Sequence, residues 1–190
     1  IVNSMLDLTR LENELLRVYE AKVQIMSIVD QVRDQFEAPL AERNLSLSVD
    51  NLDNLPPVNA DPELLFKVFY HLIINAIKYV PDGGSITVSG KEALNTDNEP
   101  VVEIVVSDTG IGIDPAHQNL IFEKFYQMGE TGLHSSGRTK FKGGGPGLGL
   151  TIVQGIILAH KGKIWVESQG YNETTMPGSH FHIQLPLNGS

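Results

Sequence analysis

Residues 143–150 read GGGPGLGL, five glycines in eight positions, and run straight into the apolar stretch TIVQGIILAH. Glycine loses the most backbone freedom on folding and supplies no side chain to pack, so such a run ahead of a helix means that bare backbone is needed there. A helix start has unpaired N–H groups and a partial positive charge, and glycine lets the oxygens of an anion approach them. A flexible hinge is the other use of such a run. Taken alone, it leaves phosphate binding and hinge both open.

The rest of the chain narrows the choice. Its 190 residues suffice for one domain of ordinary size plus an appendage, and 41% apolar content is normal for a globular protein. No apolar run approaches the roughly 18–20 residues of a membrane span, and no signal peptide is visible. There is no cysteine, which excludes disulfides and thiolate metal sites. A net charge of −9 argues against nucleic acid as a partner. Arg138, Lys140 and Lys142 nevertheless cluster just before the glycines. The chain opens IVNSMLDLTR without an initiator Met and reads as a piece of something longer.

Ile1, Leu8 and Leu15 are spaced by seven, with Leu11 and Val18 between them, an a/d-like seam that predicts a helix over residues 1–20. A second helix is expected from about Ser27, a possible N-cap, to Arg43, with a bend at Pro39. LSLSV (45–49) alternates as a strand does, and NLDNLPPVNA reads as loop. Asp61-Pro62 is a capping carboxylate followed by a first-turn proline, and predicts a helix to about Tyr79 that stops before PDGG. SITVSG and VVEIVVS read as a hairpin, Asp114-Pro115 repeats the helix-start signal, and KIWVES and SHFHIQLPL close the chain as strands. Residues 127–146 are polar, Gly-rich and aperiodic, a loop long enough to imply function. The sum is an α+β two-layer sandwich, a mixed sheet with helices on one face.

On the helix from Asp61, Leu65, Val68, Phe69, Leu72 and Ala76 can face a core. His71, Asn75, Lys78 and Tyr79 form a polar stripe at spacings of three and four. A surface helix needs some polar face, but this one offers an amide oxygen suited to a hard cation and an ammonium suited to phosphate. SDTGIGI (107–113) ends a β-branched strand on Asp108, with Gly110 and Gly112 free to turn sharply, and Ile113 following. Phe122, Phe125 and Tyr126 read as a hydrophobic anchor for the long loop. GLHSSGRT (132–139) imitates a phosphate-binding P-loop but has Arg where that motif needs Lys. His160 sits where a helix C-cap role suffices, and His180 and His182 alternate on one face of the last strand.

In this order and spacing, INAIKY, DTGIGI, FEKFY and GGGPGLGL resemble the N, first glycine, F and second glycine boxes of the GHKL ATPase superfamily. The likeness is closest to the catalytic and ATP-binding domain of sensor histidine kinases of two-component systems. It implies a Bergerat fold over residues 21–190, with a mostly antiparallel sheet, and makes residues 1–20 the end of the second dimerisation helix. By that resemblance Asn75 would hold Mg²⁺, Lys78 would contact phosphate, and Tyr79 would lie near the adenine or ribose. Asp108 would accept from the adenine amino group, and Gly110, Gly112 and Ile113 would shape the base pocket. Gly145, Gly147, Leu148 and Gly149 would present a helix start to the phosphates. Residues 127–146 would form an ATP lid, with Arg138, Lys140 and Lys142 reaching phosphate.

The chain departs from the pattern in two places. His71 stands where many such kinases carry Asn, and where hydrolysing relatives carry Glu, so efficient ATP hydrolysis is not expected. None of the six histidines lies in the H-E-x-x-x-P-like context of a phosphoacceptor. The expected partners are therefore ATP, a dimerisation and phosphotransfer domain (a homodimer in the full protein), and a response-regulator receiver domain. The domain would work in the cytoplasm, with membrane anchoring of the full protein left open. A pseudokinase or another regulatory GHKL module is the alternative.

Overall fold

The computed structural model describes residues 16–126, 141 and 147–187. Its central helix is α3, Pro62–Tyr79. Asp61 caps it by accepting from the Glu63 and Leu64 amides at 3.0 and 3.2 Å. Leu65, Val68, Phe69, Leu72 and Ala76 are all buried, along with Ile73 and Ile77. This is the apolar face that the spacing predicts.

Before α3 come β1 (Ala21–Val23), α1 (Ile25–Gln35), α2 (Glu37–Glu42), β2 (Ser46–Asp50) and β3 (Val58–Ala60). After it come β4 (Ser85–Leu94), β5 (Pro100–Asp108), two short 3-10 turns, α4 (Gly149–Ala159), β6 (Lys163–Glu167) and β7 (Ser179–Pro186). Five strands form one sheet in the order β2-β4-β5-β7-β6. Only β2 and β4 run parallel, so the sheet is mixed and mostly antiparallel. Ile86, Val88, Ile104, Val106, Phe181 and Ile183 point from it into the core beneath α1, α3 and α4. The α+β two-layer reading holds.

Four local expectations need correction. The helix placed over Ser27–Arg43 begins earlier and breaks in the middle. Gln24 precedes its first residue, and the Ser27 hydroxyl donates back to the Gln24 carbonyl at 2.8 Å instead of capping. The break falls at Phe36 because the Pro39 ring would collide with the carbonyl of Gln35, four residues back, if one helix continued. The stretch read as loop contains β3, which pairs antiparallel with β1 as a separate two-stranded ribbon. Val18, assigned to the first helix, lies in residues without regular structure. The neighbouring Tyr19 amide donates to Asp61 Oδ2 at 2.9 Å instead of to a helical carbonyl. The rest of that seam, residues 1–15, lies outside the described residues.

Candidate nucleotide site

His71, Asn75 and Tyr79 succeed one another at one-turn intervals on α3, with Lys78 beside them in its last turn. All four are half-buried. The Asn75 side chain makes no hydrogen bond among the described residues, so its amide oxygen is available to a hard cation. Burial pushes the Tyr79 phenol above its ordinary pKa.

The turn after β5 meets the end of this stripe. Ile111 donates to the Tyr79 carbonyl at 3.1 Å. Asp108 is buried, and its Oδ1 accepts from the Gly110 amide at 2.8 Å. Ser179 on β7 is paired with Asp108 across the sheet, and the nearness of its amide and hydroxyl, like the Gly110 bond, favours the ionised carboxylate. Burial outweighs these bonds and raises the Asp108 carboxyl to about 6. Gly110 cannot be anything larger. A Cβ there would lie 2.4 Å from the Tyr79 carbonyl oxygen and 2.7 Å from Asp108 Oδ1. Gly112 (φ +71°) faces the other way: its Cβ would strike the Gly170 carbonyl at 2.1 Å, in the loop after β6. Ile113 is buried, and its amide donates to Ser168 Oγ at 3.0 Å. These two positions brace the turn against residues 168–178.

The start of α4 closes the third side. A Cβ on Gly149 would lie 3.1 Å from His71 Nδ1, so the glycine helix begins against the polar stripe of α3. Gly147 adopts φ +67°, and its carbonyl accepts from the Phe125 amide at 3.1 Å. Leu148 is fully buried, immediately before the first helical residue. The anchor expected of the three aromatics holds for Phe122, which is buried, and for Tyr126, which packs on the core. It fails for Phe125, which is 61% exposed at φ +61° because its amide reaches Gly147 and turns the ring outward. Arg138, Lys140, Lys142, Gly145 and the P-loop imitation lie outside the described residues.

Several supporting residues carry no local signal. Arg43 is buried at the far end of α3, where its guanidinium donates to the Ile77 carbonyl, to the Val80 carbonyl at 2.7 Å and to Asp82 at 2.8 Å. It thus satisfies the last carbonyls of the helix that ends in Lys78 and Tyr79. Ser168 Oγ serves both sides of the turn, accepting from Ile113 and donating to the Gly178 carbonyl at 2.7 Å. On the opposite face of the sheet, His182 stacks on Trp165 with ring centroids 4.8 Å apart. Among the described residues no three His, Asp or Glu side chains converge to hold a metal ion. No helix among them is long and apolar enough to cross a membrane.

An uncapped glycine helix start, a polar helical stripe and a buried strand-end carboxylate, meeting over a mixed sheet, define a nucleotide-binding ATPase domain of GHKL type. The chain belongs to the family of histidine kinase-, DNA gyrase B- and HSP90-like ATPases, which it matches over residues 60–189. Within that family its relatives are histidine kinases. It is 34% identical over 187 residues to the adaptive-response sensory kinase SasA of Synechocystis, covering 98% of this chain and 44% of the relative. It is 32% identical to the hybrid signal transduction histidine kinase D of Dictyostelium discoideum, covering 98% of this chain and 11% of that one. Among solved structures, full-length ShkA in complex with AMPPNP superposes with a TM-score of 0.78 at 24% identity, over all of this chain and 35% of that one. The Acinetobacter baumannii histidine kinase AdeS gives 0.72 at 25% identity, over 99% of this chain and 77% of that one. The chain thus spans less than half the length of the curated relatives named here.

Proposed function

We propose that this chain binds Mg-ATP and serves as the catalytic domain of a sensor histidine kinase. The γ-phosphate would pass to a histidine on a dimerisation domain, and from there to an aspartate of a response regulator. The observation that carries the reading is the start of α4, shaped by Gly147 and Gly149 and set against His71 and the Asn75 stripe. Free N–H groups at a helix start favour phosphate, and the Asn75 amide oxygen suits the Mg²⁺ that accompanies it.

Each residue then has a definite task. Asp108, when ionised, accepts from an adenine amino group and disfavours guanine, which carries a carbonyl at that position. Gly110 lets the turn pack against the Tyr79 carbonyl and so holds that carboxylate at the base site. Lys78 contributes positive charge, and Tyr79 contributes the flat flank of the base site. His71 touches the phosphate side without the carboxylate that would activate water. A fast steady ATPase that vanished in His71→Ala would contradict that role. ATP itself supplies the transferable phosphoryl group, and the protein binds, orients and shields it.

Calorimetric titration of the 190-residue chain with ATP and Mg²⁺, beside Asp108→Asn, tests the reading. Saturable binding is expected. It should weaken about tenfold or more in the variant, the cost of disturbing a buried charged hydrogen-bond partner. A wild-type chain that takes up no nucleotide would sink the proposal.

A further inference from the structure

One histidine not placed in the nucleotide site is fully engaged. His160, the C-cap of α4, is buried, and its Nδ1 lies 2.8 Å from the Ile156 carbonyl. A carbonyl only accepts, so Nδ1 carries the proton and Nε2 is left as an acceptor. Nε2 takes the Asp61 amide at 2.9 Å, across 99 residues of sequence. Asp61 is itself buried, and it caps α3 through Oδ1 while its Oδ2 holds the Tyr19 amide. Three parts of the chain therefore meet at one residue: the segment entering the domain, the start of α3 and the end of α4.

We propose that the Asp61–His160 hydrogen bond fixes the register of α4 along α3, and so sets from a distance where the glycine start of α4 stands against His71 and Asn75. Two contacts mark the ends of the seam between the two helices. From Asp61 to His71 is ten residues along α3, and from His160 back to Gly149 is eleven along α4. At about 1.5 Å per residue the contacts are roughly 15 Å apart on each helix, which makes the pair antiparallel and nearly in step. Apolar burial along the seam is non-directional, and interdigitated side chains oppose large shifts more than small ones, so the fine register is left to a directional contact. A 2.9 Å hydrogen bond between two buried groups is lost within about an ångström of slide. His160 and Asp61 are thus positioning residues. Because β1 pairs with β3 directly before Asp61, a displacement of the entering chain is delivered to the same point. The consequence for nucleotide rests on the function proposed above, whereas the register claim does not.

The two amide side chains separate this role from simple capping. In His160→Gln, Oε1 can reach the Nε2 position and accept from Asp61. In His160→Asn, Nδ2 can replace the Nδ1 donor to Ile156 but cannot reach Asp61. Amide hydrogen exchange of the nucleotide-free 190-residue chain is the first readout. His160→Asn should speed exchange about tenfold, the value of one buried hydrogen bond, at amides 152–155, the first paired ones of α4, and at 71–76, with His160→Gln close to wild type. Equal effects of the two variants, or changes confined to 58–64 and 156–162, would overturn the proposal. Should His160→Asn not fold, wild-type exchange decides. The Asp61 amide and the first paired α4 amides, from Ile152 on, should then open with the same denaturant dependence, and independent opening would refute a common lock. The second readout is Mg-ATP affinity, expected to fall severalfold more in Asn than in Gln. If the wild-type chain binds no ATP, the functional reading fails and the exchange results alone judge the register.

Discussion

The two helices that frame the site begin in opposite ways. α3 starts on Asp61, a β-region residue whose carboxylate takes two helical amides, followed by Pro62 and the acidic Glu63. That helix start is closed, its donors and dipole satisfied by the protein itself. α4 starts on Leu148, which has no side-chain acceptor, with no acid in its first turn and a left-handed glycine just before. A missing cap costs about 1 kcal/mol. On the proposed function, the contrast separates a helix start that serves the fold from one kept open for an anion. α4 compensates with apolar burial of Ile152, Val153, Ile156 and Ile157, which holds it in place without a cap.

If that distinction is right, ligand and mutation must act on different ends. Mg-ATP at about a hundred times its Kd should stabilise the chain by about 2.7 kcal/mol, with new amide protection at the unpaired amides 149–151 and little at Glu63 and Leu64, which Asp61 already holds. Thermal unfolding and hydrogen exchange read both quantities. Equal protection at the two helix starts would erase the contrast. Asp61→Ala should act on the other end. It removes the acceptor of two helical amides and of Tyr19, and should cost about 2 kcal/mol of stability in the absence of nucleotide. Urea denaturation with and without nucleotide separates that loss from any change in binding.

The closed start was legible in the sequence and much of its surroundings was not, for a physical reason. Capping is local chemistry: Asp, Pro and the following apolar spacing lie within a few residues, so α3 has the bounds that the sequence predicts. The β4–β5 hairpin is likewise local, and its strands are long enough to show alternation. β1 and β3 have three residues each, too few for a period of two, and each is a strand only because the other pairs with it. The His160 imidazole was half legible. Its bond to Ile156 belongs to its own helix end, but its bond to Asp61 spans 99 residues and leaves no pattern. Arg43 capping the far end of α3 is invisible for the same reason. At the site, residue types and order pointed to Asp108, Asn75 and the glycines. That Gly112 and Ile113 brace against the loop after β6, away from α3, could be learned only from the fold.

The open start can be probed with one methyl group. Gly149→Ala gains helix propensity of about 1 kcal/mol, but its Cβ would lie 3.1 Å from His71 Nδ1. The two effects oppose each other, so stability without nucleotide should change by less than about 1 kcal/mol. The methyl group would stand between the first α4 amides and the His71 side, where phosphate oxygens are proposed to approach. Mg-ATP affinity should fall about tenfold, the equivalent of one charged hydrogen bond. Taken with Asp61→Ala, this gives a crossed pattern, stability lost at one helix start and binding lost at the other. A Gly149→Ala chain that bound ATP normally would show that the bare start has no ligand to serve.

The smallest effect concerns pH, and its direction follows from burial. The Asp108 carboxyl is raised to about 6 chiefly because burial disfavours its charge. Without nucleotide the folded protein therefore holds this proton more tightly than the unfolded chain does. The stability it contributes is full below the ordinary carboxylate pKa and is lost as pH rises through about 6. Binding runs the other way. An adenine amino group donates, and only the ionised carboxylate offers both oxygens fully as acceptors, so nucleotide favours the deprotonated form. Affinity should thus rise about fivefold between pH 5 and 7 and level off above, with a proton released on binding in the lower part of that window. The phosphates of ATP titrate nearby, and Asp108→Asn shares that contribution. The difference between wild type and variant isolates the carboxylate, and calorimetry in two buffers of different ionisation enthalpy counts the proton directly. A difference that does not vary with pH would mean that Asp108 meets no donor from the ligand, and that only the α4 start, and not the strand end, belongs to the nucleotide site.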